Sequence, residues 1–206
     1  MGKFEKMKIS LKYWLLGMSN FDKNYLKCVD ALEFAALHHT GLRKDGKTHE
    51  FEHQITIAMY IRSISQNLIN PWVAICVALL HDTAEDYDVT YEEIEFKFGR
   101  EVRVSVEAMT KEYRGIKKTN DVYFTDISQD PHASVNKGAD RIHNLQSMAG
   151  AFTKDKQREY IKEAEDHILP AIKKAKRLFP AQEMAYENIK LVMESQIQLI
   201  KLSLNE

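Results

Sequence analysis

Nine consecutive apolar residues, Trp72 to Leu80, end directly on His81-Asp82-Thr83-Ala84-Glu85-Asp86. A helix that is apolar all round is buried all round, so the rest of the chain has to enclose it. Asn70-Pro71 gives this helix its start, an N-cap residue followed by proline at the first helical position. Its far end delivers four ionisable side chains to the edge of the core. If residues 81 to 86 continue as helix, His81 shares a face with Glu85, and Asp82 with Asp86, because positions four apart stack on one side.

The surrounding sequence supplies helical partners. Apolar residues recur at spacings of three and four nearly everywhere, and 8 glycines and 4 prolines are few breakers for 206 residues, so the fold class is all-α. Helices are expected over 23–39, 51–68, 71 to about 80, a short one capped by Thr90 with Glu93 and ending near Gly99, and one through Val102, Val106 and Met109. Residues 111–118, basic around Gly115, read as a mobile loop. Asp130-Pro131 turns the chain into a helix carrying Val135, Ala139, Ile142 and Leu145. Two long amphipathic helices, 153–178 and 181–204, flank Pro180. Leu191, Ile197, Ile200 and Leu204 make a stripe on the last one, expected to pack on the core, with homo-oligomer formation as the alternative.

Charge narrows the function. With 29 basic and 30 acidic residues the formal net charge is -1, which gives no electrostatic case for general nucleic-acid or anionic-membrane binding. Cys28 and Cys76 sit in apolar helical patterns, as free cysteines of a reducing, cytoplasmic setting do. The apolar N-terminal segment is broken by Lys12 and is too short for a spanning helix or a signal peptide. A soluble single domain over 1–206 is expected.

The residues able to do chemistry cluster in type. His53, His81, Asp82 and Asp140, from three helices, form a candidate metal site, and imidazole with carboxylate suits manganese, iron or zinc better than magnesium or calcium. Taken singly, each reads more readily as a surface or hydrogen-bonded polar residue than as a ligand. Glu85 and Asp86 are placed to orient and deprotonate a water molecule; alone they would be a solvated acidic helix end. Arg43 and Lys44 lie in a polar loop that can hold phosphates or stack on a base, or can simply be solvated. Asn144 follows Asp140 by one turn, so one face presents a carboxylate and an amide. His143 reads as a packing or polar-contact residue.

In order, the runs Ala35-Ala36-Leu37-His38-His39-Thr40-Gly41-Leu42-Arg43-Lys44-Asp45-Gly46, His53, Ala78-Leu79-Leu80-His81-Asp82-Thr83-Ala84-Glu85-Asp86, Phe98-Gly99-Arg100-Glu101-Val102, Met109-Thr110-Lys111 and Lys137-Gly138-Ala139-Asp140-Arg141-Ile142-His143-Asn144 resemble the hydrolase domain of the RelA/SpoT family within the HD-domain superfamily. The resemblance covers residues 25–150, leaves 151–206 as a helical C-terminal extension, and is carried by the ordered set rather than by any one piece. It implies a helical, metal-dependent phosphohydrolase, a stand-alone small alarmone hydrolase of the stringent response. Such an enzyme removes the 3′-pyrophosphate of (p)ppGpp, usually with Mn²⁺, giving GDP or GTP and pyrophosphate. It also implies roles: His53, His81, Asp82 and Asp140 as metal ligands, Glu85 and Asp86 as the water-activating pair, and Arg43, Lys44, Asn144 and Ser147 at the nucleotide.

The chain departs from the pattern in places. The stretch from Gly46 to His53 is one residue longer than usual, which makes His49 a competitor of His53, and Gln54 stands where proline normally follows the histidine. Gly138 replaces a leucine, which is expected to loosen packing. Ser147 stands for threonine and keeps the hydroxyl. Two rival readings stay open: the same site acting on another nucleotide such as NADPH, and an inactive helical module that binds nucleotide or protein.

Overall fold

In the computed structural model, which describes residues 2–205, the chain runs through helices α1 (Lys3–Met18), α2 (Tyr25–His38), α3 (Glu52–Ser63), α4 (Pro71–Leu80), α5 (Thr83–Asp86), α6 (Tyr91–Phe98) and α7 (Arg100–Met109). Two short strands, β1 (Glu112–Tyr113) and β2 (Ile116–Lys117), come next, and then α8 (Asn120–Gln129), α9 (Pro131–Ser147), α10 (Lys154–Glu163), α11 (Leu169–Leu178) and α12 (Glu183–Leu204). The all-α expectation holds. No described helix is long and apolar enough to cross a membrane.

Helix α4 is the centre. Every residue from Val73 to Leu80 is buried, and α2, α3, α7 and α9 pack around it. A fully buried Leu or Ile contributes roughly 1.5–3 kcal/mol, whereas an exposed ion pair is worth about 0–1 kcal/mol. Each of Ile75, Leu79 and Leu80 therefore outweighs a surface charge pair in holding the bundle together.

Local chemistry sets several helix starts. The Thr90 hydroxyl accepts from Glu93 N at 3.1 Å, and Asp130 accepts from the backbone N–H groups of His132 and Ala133 at 2.9 and 2.7 Å; both satisfy N–H groups that a helix start leaves unpaired. Asn70 behaves differently from its expected N-cap role. Its backbone is left-handed (φ 42°, ψ 66°) and its side chain caps nothing, donating to Glu101 at 2.8 Å instead. Proline at the helix start disfavours the helical basin for the residue before it, and asparagine tolerates the left-handed one.

Other expectations are corrected. Residues 111–118 hold an antiparallel hairpin turned by Arg114 (φ 50°) and Gly115 (φ 78°); a two-residue ladder is too short to leave an alternating pattern in sequence. The expected 153–178 helix is broken by a π-helical turn at Ala164–Ile168, just before Pro170, whose ring cannot donate into a regular α-helical ladder. On α12, Ile197 and Leu204 are buried but Leu191 is 68% exposed, so the predicted stripe splits between core and surface. Residues 3–18, read only as a broken apolar segment, form a full helix that buries Leu11 and Leu15.

Gly138 does the opposite of loosening the fold. A Cβ placed there would lie 2.5 Å from Ile189 Cγ2 on α12 and 3.1 Å from Ile172 Cδ1 on α11, so the missing side chain lets both helices close on α9. Alanine would gain about 1 kcal/mol in helix propensity but overpack an already filled contact, which costs about 1–3 kcal/mol. Gly138→Ala is expected to lower stability by about 1 kcal/mol and Gly138→Leu by more, measured as a shift in the urea-unfolding midpoint.

Candidate active site

Helix α4 stops at Leu80, and the chain opens through His81 and Asp82 before re-forming as α5. The helix is thus interrupted at the two residues that face the site, so 81–86 do not simply continue it, although Asp86 N still donates to Asp82 O at 2.9 Å. The opening lets adjacent side chains act on one point. His81 Nε2 lies 3.1 Å from Asp82 Oδ2, and ligand atoms of His53, His81 and Asp82 all fall within 4.8 Å of one another. Asp140, from α9, brings Oδ1 to 3.1 Å from His53 Nε2. His53, His81 and Asp140 are buried, and their nitrogen and oxygen donors suit a divalent transition-metal ion.

Each of these groups is held from behind. His81 Nδ1 donates to Ala78 O at 3.0 Å, which turns Nε2 toward the cluster. His53 Nδ1 meets His143 Nδ1 at 2.7 Å, one of the two nitrogens donating. Asp140 accepts from Asn144 Nδ2 at 2.6 Å and from Lys137 Nζ at 3.0 Å. Asp82 Oδ2 accepts from Gln54 Nε2 at 3.0 Å. His49 is elsewhere: its ring stacks on Phe4 with centroids 4.0 Å apart, and its Nδ1 accepts from Phe51 N. His49 thus lies apart from the cluster that His53 joins.

The cluster lies in a cleft of about 840 Å³. Arg43 reaches across its rim, donating to Asn144 Oδ1 at 3.3 Å and to Ser147 Oγ at 3.4 Å. Lys44 Nζ lies 5.4 Å from the centre of the Phe152 ring. Glu85 and Asp86 border the same cleft, and Glu85 Oε2 accepts from Lys111 N at 2.8 Å. All ten predicted site residues thus line one hollow. Sequence reasoning missed Gln54 and Lys137 and left His143 as a generic contact. Lys137 was legible in principle, since it precedes Asp140 by three on one helix.

The charges are unevenly balanced. Burial opposes protonation of His81, but the attraction of Asp82, their hydrogen bond and Asp140 outweigh it and raise its pKa to about 9. Burial also works against ionisation of Asp140, yet Lys137 and His53 hold it well below the usual carboxylate range. Asp86 is pushed up to about 6 by lost hydration in the cleft and by repulsion from Asp82 and Glu85. His81 has consequences for folding. Its affinity for a proton is higher folded than unfolded, so its stabilisation is complete below about 6.5 and is lost as pH rises toward about 9. The melting temperature of metal-stripped protein is expected to fall across that window, and Asp82→Asn to flatten the slope, in thermal scans at a series of pH values.

The family profile described as an HD domain matches residues 31–168. A guanosine-3′,5′-bis(diphosphate) 3′-pyrophosphohydrolase of Aquifex aeolicus is 29% identical over 159 residues, 74% of this chain and 22% of that protein. The chain likewise spans only 18% of a probable enzyme of that name from Synechocystis. The human protein named guanosine-3′,5′-bis(diphosphate) 3′-pyrophosphohydrolase MESH1 is 34% identical over 126 residues, 58% of this chain and 68% of that one. A solved metazoan orthologue of SpoT, described as hydrolysing ppGpp, shares the fold with a TM-score of 0.62 at 22% identity, over 84% of this chain and 94% of its own. The chain belongs to the HD-domain family, and its relatives include proteins named guanosine-3′,5′-bis(diphosphate) 3′-pyrophosphohydrolase and others named GTP pyrophosphokinase.

Proposed function

We propose that this protein is a metal-dependent phosphohydrolase that removes the 3′-pyrophosphate of (p)ppGpp. The observation that carries the reading is the convergence of His53, His81, Asp82 and Asp140 on the floor of a cleft rimmed by Arg43 and Lys44 and bordered by Glu85 and Asp86. The names of the relatives supply the substrate. In this reading one domain comprises the whole chain, with α11 and α12 packed on α9.

His53, His81, Asp82 and Asp140 would hold the ion, with Mn²⁺ the expected one. A bound divalent ion supplies Lewis acidity, acidifying water and polarising a phosphoryl oxygen. The chain's own residues do the rest. Glu85 is tied to the Lys111 backbone, so Asp86 is the proton acceptor, and lost hydration together with repulsion keeps it basic enough to take a proton near neutral pH. The Arg43 guanidinium, positioned by Asn144 and Ser147, has further N–H groups for phosphate oxygens or a flat face for the base. Lys44 adds a second positive charge at the same rim. The buried free cysteines fit a reducing compartment such as the cytoplasm.

Purified protein incubated with Mn²⁺ and ppGpp is expected to release pyrophosphate and GDP, and Asp82→Ala to stop turnover while leaving the helical circular dichroism in place. Full activity in Asp82→Ala would remove the reading. Orthophosphate released from NADPH, with ppGpp left intact, would transfer the site to a monoester. Asp86→Asn is expected to lower kcat by about 10²–10⁴-fold and to erase an acid limb of the pH–rate profile that lies at or below about 6.

A further inference from the structure

We propose that Gln54 is a positioning residue for Asp82, a neutral hydrogen-bond donor that this chain carries where the RelA/SpoT pattern has proline. The inference rests on the metal-centre reading above. Gln54 follows His53 directly in the first turn of α3, is 3% exposed, and donates from Nε2 to Asp82 Oδ2 at 3.0 Å across 28 positions of sequence.

Two observations separate this role from ordinary core packing. The first is that the carboxamide is only half satisfied: Gln54 Oε1 is buried without a hydrogen-bond partner among the described residues. A buried acceptor left unpaired is destabilising, so an apolar side chain, or proline, would be the better occupant if filling space were the whole task. What glutamine adds is the donor, and that donor is spent on Asp82.

The second observation is where Asp82 sits. His53, His81 and Asp140 are each buried and held by partners from helix interiors, namely His143, Ala78 O, and Asn144 with Lys137. Asp82 lies in the opening between α4 and α5, with backbone angles at the margin of the helical region (φ −94°, ψ −7°). Its carboxylate has the least support from its own helix. Repulsion from Asp86 and Asp140 also bears on it. A hydrogen bond from α3 restrains the Asp82 rotamer, and a neutral amide does so without adding a charge that would compete with a cation. Because His53 is the adjacent residue, one turn of α3 places a candidate ligand and the support for another.

The test uses the metal-stripped 206-residue protein. Gln54→Met keeps length and bulk but removes the donor. Its Mn²⁺ dissociation constant by titration calorimetry is expected to rise about 10–100-fold, and the visible absorption of its Co²⁺ complex to shift. The melting temperature of the metal-free variant is expected to stay level or rise, since the orphaned acceptor is gone. Gln54→Pro, tolerated in a first helical turn, is expected to give the same affinity loss and covers the case in which the methionine variant does not fold. Wild-type Mn²⁺ affinity with an unchanged Co²⁺ spectrum in either variant would overturn the inference, as would a lowered melting temperature with no change in affinity. If the wild-type protein bound neither ion, the metal-centre reading itself would fail, an outcome distinct from a variant that binds as the wild type does.

Discussion

Everything at the cleft depends on the burial of α4. An apolar helix enclosed by α2, α3, α7 and α9 cannot slide or rotate without opening the core, so its C-terminal end is a fixed point. His81 and Asp82 leave the helix there, where the backbone opens enough for both to face one spot. The same enclosure brings α3 and α9 against α4, which is how His53 and Asp140 reach it from residues far away in sequence.

Once assembled, the site is governed by charge in a poorly hydrated place. Four groups that would repel or starve for solvent individually are compatible because each has a counterpart: Asp140 with Lys137, Asp82 with His81. Asp86 is the exception. It has lost hydration and faces like charges, and so retains its proton more readily than a free carboxylate does. In the proposed mechanism, an unbalanced carboxylate beside balanced ones divides the labour between holding a cation and moving a proton.

Much of this was legible in the chain. The α4 run, the Asp130-Pro131 start and the Thr90 cap are local signals, encoded in a few neighbouring residues and recovered at or near their observed positions. The ten site residues were named by type and order, and they line one cleft. The hairpin at 112–117, the π-helical turn before Pro170 and the left-handed Asn70 were not, because each answers to a fit with neighbouring elements rather than to a periodicity.

Taken alone, the amino-acid sequence determined that the protein is helical, that one helix is wholly interior, and which side chains are candidates for ligand and proton chemistry, since a 3.6-residue repeat and residue type are local properties. Only the tertiary structure decided how those side chains are held. His143 against His53, Gln54 against Asp82 and the bare Gly138 against Ile189 join positions 90, 28 and 51 residues apart, and such pairings exist only once packed helices bring distant turns into contact.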